Sequence, residues 1–299
     1  IVNTTEGKRA IADSYAMREA RKRRGQSEAI ARRKISNQVL PEFNKEIADN
    51  FAKANKQVKD KWLKRIDKAG LTPDVRSVRT TNDFLLVNSR VMRPSEMGGS
   101  SSNAIDTPGN GVTLKIHESA MNNAFDRLEI AGKTLTEAEL IDKIETSLMD
   151  VLGKDYENNK PKQPKAKKDE DKFVFDKTDP IRFRVRNGAL NIVIRAGLKP
   201  SGKEDIPTQI VTIPINLSVT GSEIVMKRGI VSVAPAQKPD SAAKQIVRAG
   251  IMRKKIEDSI GVEKRGNTLT LGGETDKKPV KVKISKIRTV NGWVTVWAE

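Results

Sequence analysis

The 299 residues are 36% hydrophobic and 31% charged, polar for a globular chain but not the profile of a wholly disordered one. Cysteine is absent and histidine occurs once, which removes disulfides, zinc thiolates, iron–sulfur clusters and cysteine nucleophiles and leaves too few parts for a His-ligated metal cluster. The formal charge is +18, so the expected partners are polyanions: nucleic acid, anionic lipid headgroups or acidic polymers of a cell envelope.

Half of that charge lies in the first quarter, where residues 1–70 hold 18 Lys and Arg against 9 Asp and Glu. Residues 1–40 read as a basic arm, helical or flexible. Its densest run is Arg18 to Arg24, and Arg21, Lys22, Arg23 and Arg24 are the candidate contacts for anionic groups. Only Tyr15 interleaves with these cations, so the arm offers little for stacking single strands, and phosphate contact to a duplex is its nucleic-acid reading. The first residue is Ile1, and a signal peptide already removed would leave no trace. No apolar run reaches the roughly 18 residues that span a bilayer.

From Pro41 the pattern sharpens. Phe43, Ile47, Phe51, Ala54, Val58, Trp62 and Ile66 recur every three or four residues, which predicts one amphipathic helix starting at Pro41 and stopping at Gly70. Val75 to Val87 read as two short strands about an Asn82-Asp83 turn, and 94–111 as a polar mobile loop. Val112 to Ile116 alternate as a strand. His117 then opens a helix with Met121, Ala124, Phe125 and Leu128 on one side. Thr136 with Glu139 forms a capping box, and Leu140, Ile141, Ile144, Leu148, Val151 and Leu152 make the apolar face of the helix it starts.

Residues 155–172 are a charged linker or loop with scattered prolines. The period then changes to two. Ile181, Phe183 and Val185 alternate with Arg182, Arg184 and Arg186, and Asn187-Gly188 is a hairpin turn. Thr208 to Val219 is a long strand broken near Pro214, which argues for an edge or a bulge. Further strands end the meander at Val233. Residues 241–260 are an amphipathic helix with Ile246, Ala249, Gly250, Arg253, Ile256 and Ile260 as inward candidates. Thr268 to Leu271, Val280 to Ile284 and Trp293 to Trp297 are strands, the last locked into a sheet after the Asn291-Gly292 turn.

The plan is α+β: long amphipathic helices packed on curved antiparallel sheets. It divides into a basic arm (1–40), a helix-rich lobe with short strands (41–154), a charged linker (155–172) and an antiparallel-sheet lobe with one helix (173–299). Adjacency of His117, Glu118 and Ser119 does not set triad geometry, and the pairs Asp142/Glu145 and Glu137/Glu139 lie on a charged helix surface. Asp169-Glu170-Asp171 lacks the glycine and terminal Glu of a calcium loop. No catalytic residue, metal or cofactor is therefore assigned, and the chain reads as non-enzymatic.

The strand-into-helix segment Val112 to Leu128, with the long helix of 41–69 and the later helix of 241–260 each followed by strands, resembles the tubular lipid-binding superfamily in element order over 41–299. That superfamily includes the bactericidal/permeability-increasing proteins. The resemblance implies a helix wrapped against a curved sheet, with acyl chains in the apolar seam. Here Met121, Phe125, Leu128, Leu140, Ile144 and Leu148 would line it. The combined expectation is a lipid- or anionic-surface-binding protein of the periplasm or cell envelope, in peripheral membrane contact, with Arg182, Arg184 and Arg186 adding a positive sheet face. Two alternatives stand beside it: nucleic-acid binding through the arm, and a structural role in an assembly.

Overall fold

The computed structural model describes residues 10–57, 63–99, 111–152, 156, 171–271 and 280–299. The chain divides into two compact units, Ile1–Leu63 and Lys64–Glu299. Most of the charged stretch 155–172 lies outside the described residues.

The first unit is helical. Ala, Arg, Lys, Gln and Glu, all good helix formers, fill α1 (Ala10–Lys34). A π-helical stretch, Ile35–Val39, leads into α2 (Leu40–Gln57). Pro41 was expected to start a helix, but the helix runs through it: Lys34 and Leu40 both have right-handed helical φ and ψ. The Leu40 N–H donates to the Ile35 carbonyl. A proline ring inside a regular helix collides with the carbonyl four residues back, and the wider π turn just before Pro41 makes room for it. The long helix expected over 41–69 is described in two parts, α2 and α3 (Lys64–Lys68), and Val58 and Trp62 of its stripe lie outside the described residues.

In the second unit, Gly70, at φ 67°, ends α3. The hairpin of β1 (Val75–Thr80) and β2 (Leu85–Arg90) forms a two-stranded sheet of its own. Then follow β3 (Val112–His117), α4 (Glu118–Asp126), β4 (Thr134–Thr136) and α5 (Glu137–Leu152). The capping box is formed as expected: Thr136 Oγ1 accepts from the Glu139 N–H at 3.2 Å, and Glu139 Oε2 accepts from the Thr136 N–H at 2.7 Å.

The main sheet is eight-stranded and antiparallel. It contains β4, β5 (Lys172–Phe175), β6 (Ile181–Arg186), β7 (Ala189–Lys199), β8 (Ile206–Thr220), β9 (Glu223–Arg228), β10 (Ser232–Pro235) and β11 (Val262–Gly266). The β6–β7 hairpin turns at Asn187 and Gly188, with φ 54° and 73°, the left-handed pair that a two-residue hairpin needs. The long strands β7 and β8 pair with each other, and two short strands share the outer edge of each: β6 and β5 on β7, β10 and β9 on β8.

The strand expected to break near Pro214 is continuous. Pro214 falls where β10 ends and β9 begins, so its missing N–H leaves no strand partner unpaired, and its carbonyl accepts from the Gly229 N–H at 2.7 Å. Ile181, Phe183 and Val185 of β6, Val211, Ile213 and Ile215 of β8, and Leu198 of β7 are buried. Helix α6 (Ala242–Ser259) adds Met252 and Ile256 to that core.

The rotation of α6 corrects the expected one. Gln245 faces in and donates to buried Gln209 at 2.8 Å, while Ile246, Gly250 and Arg253 face solvent, Ile246 at 74% exposure. A polar pair satisfied inside the core fixes a rotation that hydrophobicity alone misassigns.

The other sheet has four strands in the order β12 (Thr268–Leu271), β13 (Val280–Val290), β14 (Trp293–Ala298), β3. Asn267, only 2% exposed, joins the two sheets: its N–H donates to Ser222 O at 2.9 Å, and its Nδ2 donates to Ile284 O at 2.9 Å. Gly292 N–H donates to Val185 O at 3.1 Å, and the Thr289 hydroxyl donates to Gly188 O, so the β13–β14 turn rests on the β6–β7 turn. The fold class is thus α+β with open antiparallel sheets, as the sequence indicates. No helix among the described residues is long and apolar enough to cross a membrane.

Candidate anionic-ligand surfaces

His117 caps a helix. Its Nδ1 accepts from the Ser119 N–H at 3.2 Å, and its ring meets Trp293 edge-on with centroids 4.9 Å apart. A Cβ on Gly99 or Gly292 would lie 2.2 Å or 2.8 Å from the ring, so glycine at both positions lets the backbone close over it. Glu118 is committed too, accepting the Val185 N–H at 2.6 Å.

Glu118, Asn122 and Asp126 stand four residues apart on α4 and so share one face. Asn122 accepts from the Phe183 N–H at 2.7 Å and donates to the Phe183 carbonyl at 3.1 Å, and Asp126 takes the Arg182 guanidinium. This polar stripe satisfies the outer edge of β6 and closes it to strand addition.

The same docking sorts the three arginines of β6. Arg182 is held between Asp126 and Asp179. Arg184 and Arg186 are exposed and make no ion pair among the described residues. On α1, Arg21, Lys22, Arg23 and Arg24 are all exposed, and among the described residues only Arg24 of these four has an ion pair, with Glu28 at 3.1 Å. Leu40, Phe43, Ile47 and Phe51 follow on α2 at helical spacing and are exposed as well, Phe43 at 56% and Phe51 at 65%.

The six seam residues divide. Met121, Phe125, Leu128 and Leu140 pack against the buried cluster, and Phe125 meets Phe183 edge-on at 4.6 Å. Ile144 is half-buried and Leu148 is 38% exposed.

Two groupings escaped the sequence reading. The first is a buried ion pair in the loop expected to be mobile. Arg127 Nη2 meets Glu96 Oε2 at 2.8 Å, with side-chain exposures of 8% and 9%, and Arg127 also donates to the Gly70 carbonyl. Asn123, 5% exposed, donates to Val91 O and Met97 O. Residues 91–97 are therefore tied to α4 rather than loose. Burial pushes the Glu96 carboxyl up, but the Arg127 guanidinium and the Arg93 N–H outweigh it and hold it below the usual carboxylate range.

The second grouping lies on one face of the four-stranded sheet. Register places Lys286, Trp297 and Thr113 side by side across β13, β14 and β3, then Arg288, Thr295 and Lys115, then Val290, Trp293 and His117. Lys286 Nζ lies 5.1 Å from the Trp297 ring centre, and Lys115 Nζ lies 5.8 Å from that of Trp293. The legible signal was the tryptophan spacing of four in a strand, which puts both rings on one face. Searches against protein-family models, curated proteins and solved structures find no match to this chain.

Proposed function

We propose that this chain is a non-enzymatic protein that binds an anionic lipid surface peripherally through residues 10–57. One observation carries the reading: the apolar stripe Leu40, Phe43, Ile47 and Phe51 stays exposed directly after an exposed run of cations. Juxtamembrane cations near an anionic leaflet are worth about 1 kcal/mol each. An amphipathic helix then buries its apolar face about 5–10 Å into the headgroup boundary. The resemblance to tubular lipid-binding proteins points the same way. The contact proposed is with a bilayer surface, because Met121, Phe125, Leu128 and Leu140 already pack against protein.

Flotation with vesicles of increasing anionic-lipid content tests it. Binding is expected only to anionic vesicles. It should fall by on the order of 1,000-fold when Arg21, Lys22, Arg23 and Arg24 are replaced by Gln, and fall again in Phe43→Ser/Phe51→Ser. Binding indifferent to lipid charge, or unchanged in both variants, removes the reading.

A further inference from the structure

We infer that the outer face of the four-stranded sheet is a binding platform for single-stranded nucleic acid, separate from the surface on residues 10–57. The argument begins with pairing. Trp293 and Trp297 sit on the same face of β14, and the row between them is Arg288, Thr295 and Lys115. Lys286 thus stands beside Trp297, and Arg288 and Lys115 flank buried Thr295 in the row between the two indoles. Lys286, beside Trp297, Lys281, Lys283 and Arg288 are all exposed. The carboxylate among the residues paired here is that of Glu299, beside Lys283 at the rim.

The chemistry of this face selects the occupant. Phosphates spaced along a chain match the lysines and arginine, and bases splayed from a single strand can stack on the indoles. A duplex keeps its bases stacked on one another and could use only the cations. A bilayer would need an exposed aliphatic surface. Val290, 39% exposed, is the aliphatic residue of these rows. Each indole is now faced by a lysine ammonium. A base arriving over Trp297 replaces the Lys286 ammonium there and turns it to the flanking phosphate. Beside Trp297, the buried hydroxyl of Thr113 has no hydrogen-bond partner among the described residues.

The test uses the full chain with Trp62→Phe, so that fluorescence comes from Trp293 and Trp297 alone, and with Arg21, Lys22, Arg23 and Arg24 changed to Gln to silence the arm. Titration with a thymidine oligomer on the order of 15 nucleotides long should quench the indoles saturably. Affinity should fall as salt rises, and Lys286→Gln/Arg288→Gln should reduce the salt slope by roughly 1–2. Trp297→Ala should weaken binding by roughly 5- to 100-fold. The lysine–arginine variant, which alters exposed residues only, keeps the test decisive if Trp297→Ala does not fold. Absent quenching overturns the proposal. So does an affinity unchanged by Lys286→Gln/Arg288→Gln, or equal affinity for a duplex. Vesicle flotation that depends on Trp297 but not on the arm would assign this face to lipid and overturn it as well. Loss of vesicle binding by the arm variant alone bears on residues 10–57 and leaves this face untouched.

Discussion

The two units use apolar periodicity in opposite ways. In α4, residues spaced three or four apart bring Met121, Phe125 and Leu128 against the sheet, where Phe125 meets Phe183. In α2 the same spacing leaves Phe43, Ile47 and Phe51 exposed. Periodicity thus reports that a face must be covered and does not report by what. What sets α4 apart is polar: Glu118, Asn122 and Asp126 satisfy backbone and arginine groups of β6, and that fixes the helix to its strand. For α2, the cationic run before it supplies the corresponding information, a partner of negative charge.

Substitutions can break or sharpen this contrast. The largest loss is expected from the second unit. Ile213→Ala, at a fully buried site in β8, should cost about 2–5 kcal/mol, read as a lower urea midpoint at unchanged slope. The matching change in the first unit, Phe51→Ala, should stay within about 0.5 kcal/mol. Equal losses would mean that the α2 stripe has a partner inside the folded chain.

Of comparable size is the Glu96–Arg127 pair. Arg127→Met strands a buried carboxylate and should cost roughly 3–5 kcal/mol, with Glu96→Gln added to it restoring part of the loss. The pair also gives the loop a pH dependence. Because the Glu96 carboxyl titrates lower in the folded chain than in the unfolded one, its contribution is complete above the unfolded value of about 4.3 and is lost as pH falls through the folded value. Hydrogen exchange of residues 91–97 should therefore rise, relative to the β8 core, below about pH 4, and Glu96→Gln should flatten that profile.

Thr136→Ala should cost about 1 kcal/mol through loss of the α5 cap. Smallest of all in stability, replacing Arg21, Lys22, Arg23 and Arg24 by Gln should leave the urea midpoint unmoved while weakening vesicle binding by on the order of 1,000-fold, which separates function from folding within one variant.

Local features were legible in the sequence because local chemistry determines them. The Asn187-Gly188 turn, the Thr136/Glu139 box, the alternation of β6 and the stop at Gly70 all appear in the structure. Features set by partners distant in sequence were not. The rotation of α6 depends on Gln245 finding Gln209, and the tolerance of Pro214 depends on the junction of β9 and β10 beside it. The pairing of Glu96 with Arg127 spans a helix, a strand and a loop. Among the site residues, exposure of the α1 cations followed from composition alone. The division of the three β6 arginines, with Arg182 neutralised and Arg184 and Arg186 exposed, needed the position of α4. The indole–lysine face escaped because β3 reaches it from far earlier in the chain.

Hydrogen exchange of the full chain with and without anionic vesicles tests the central claim most directly. Protection gained along α2, centred on Phe43 to Phe51, with the core strands of the eight-stranded sheet unchanged, is the expected result. Vesicle binding that leaves residues 40–57 exchanging as before, with protection gained only within 64–299, would contradict it.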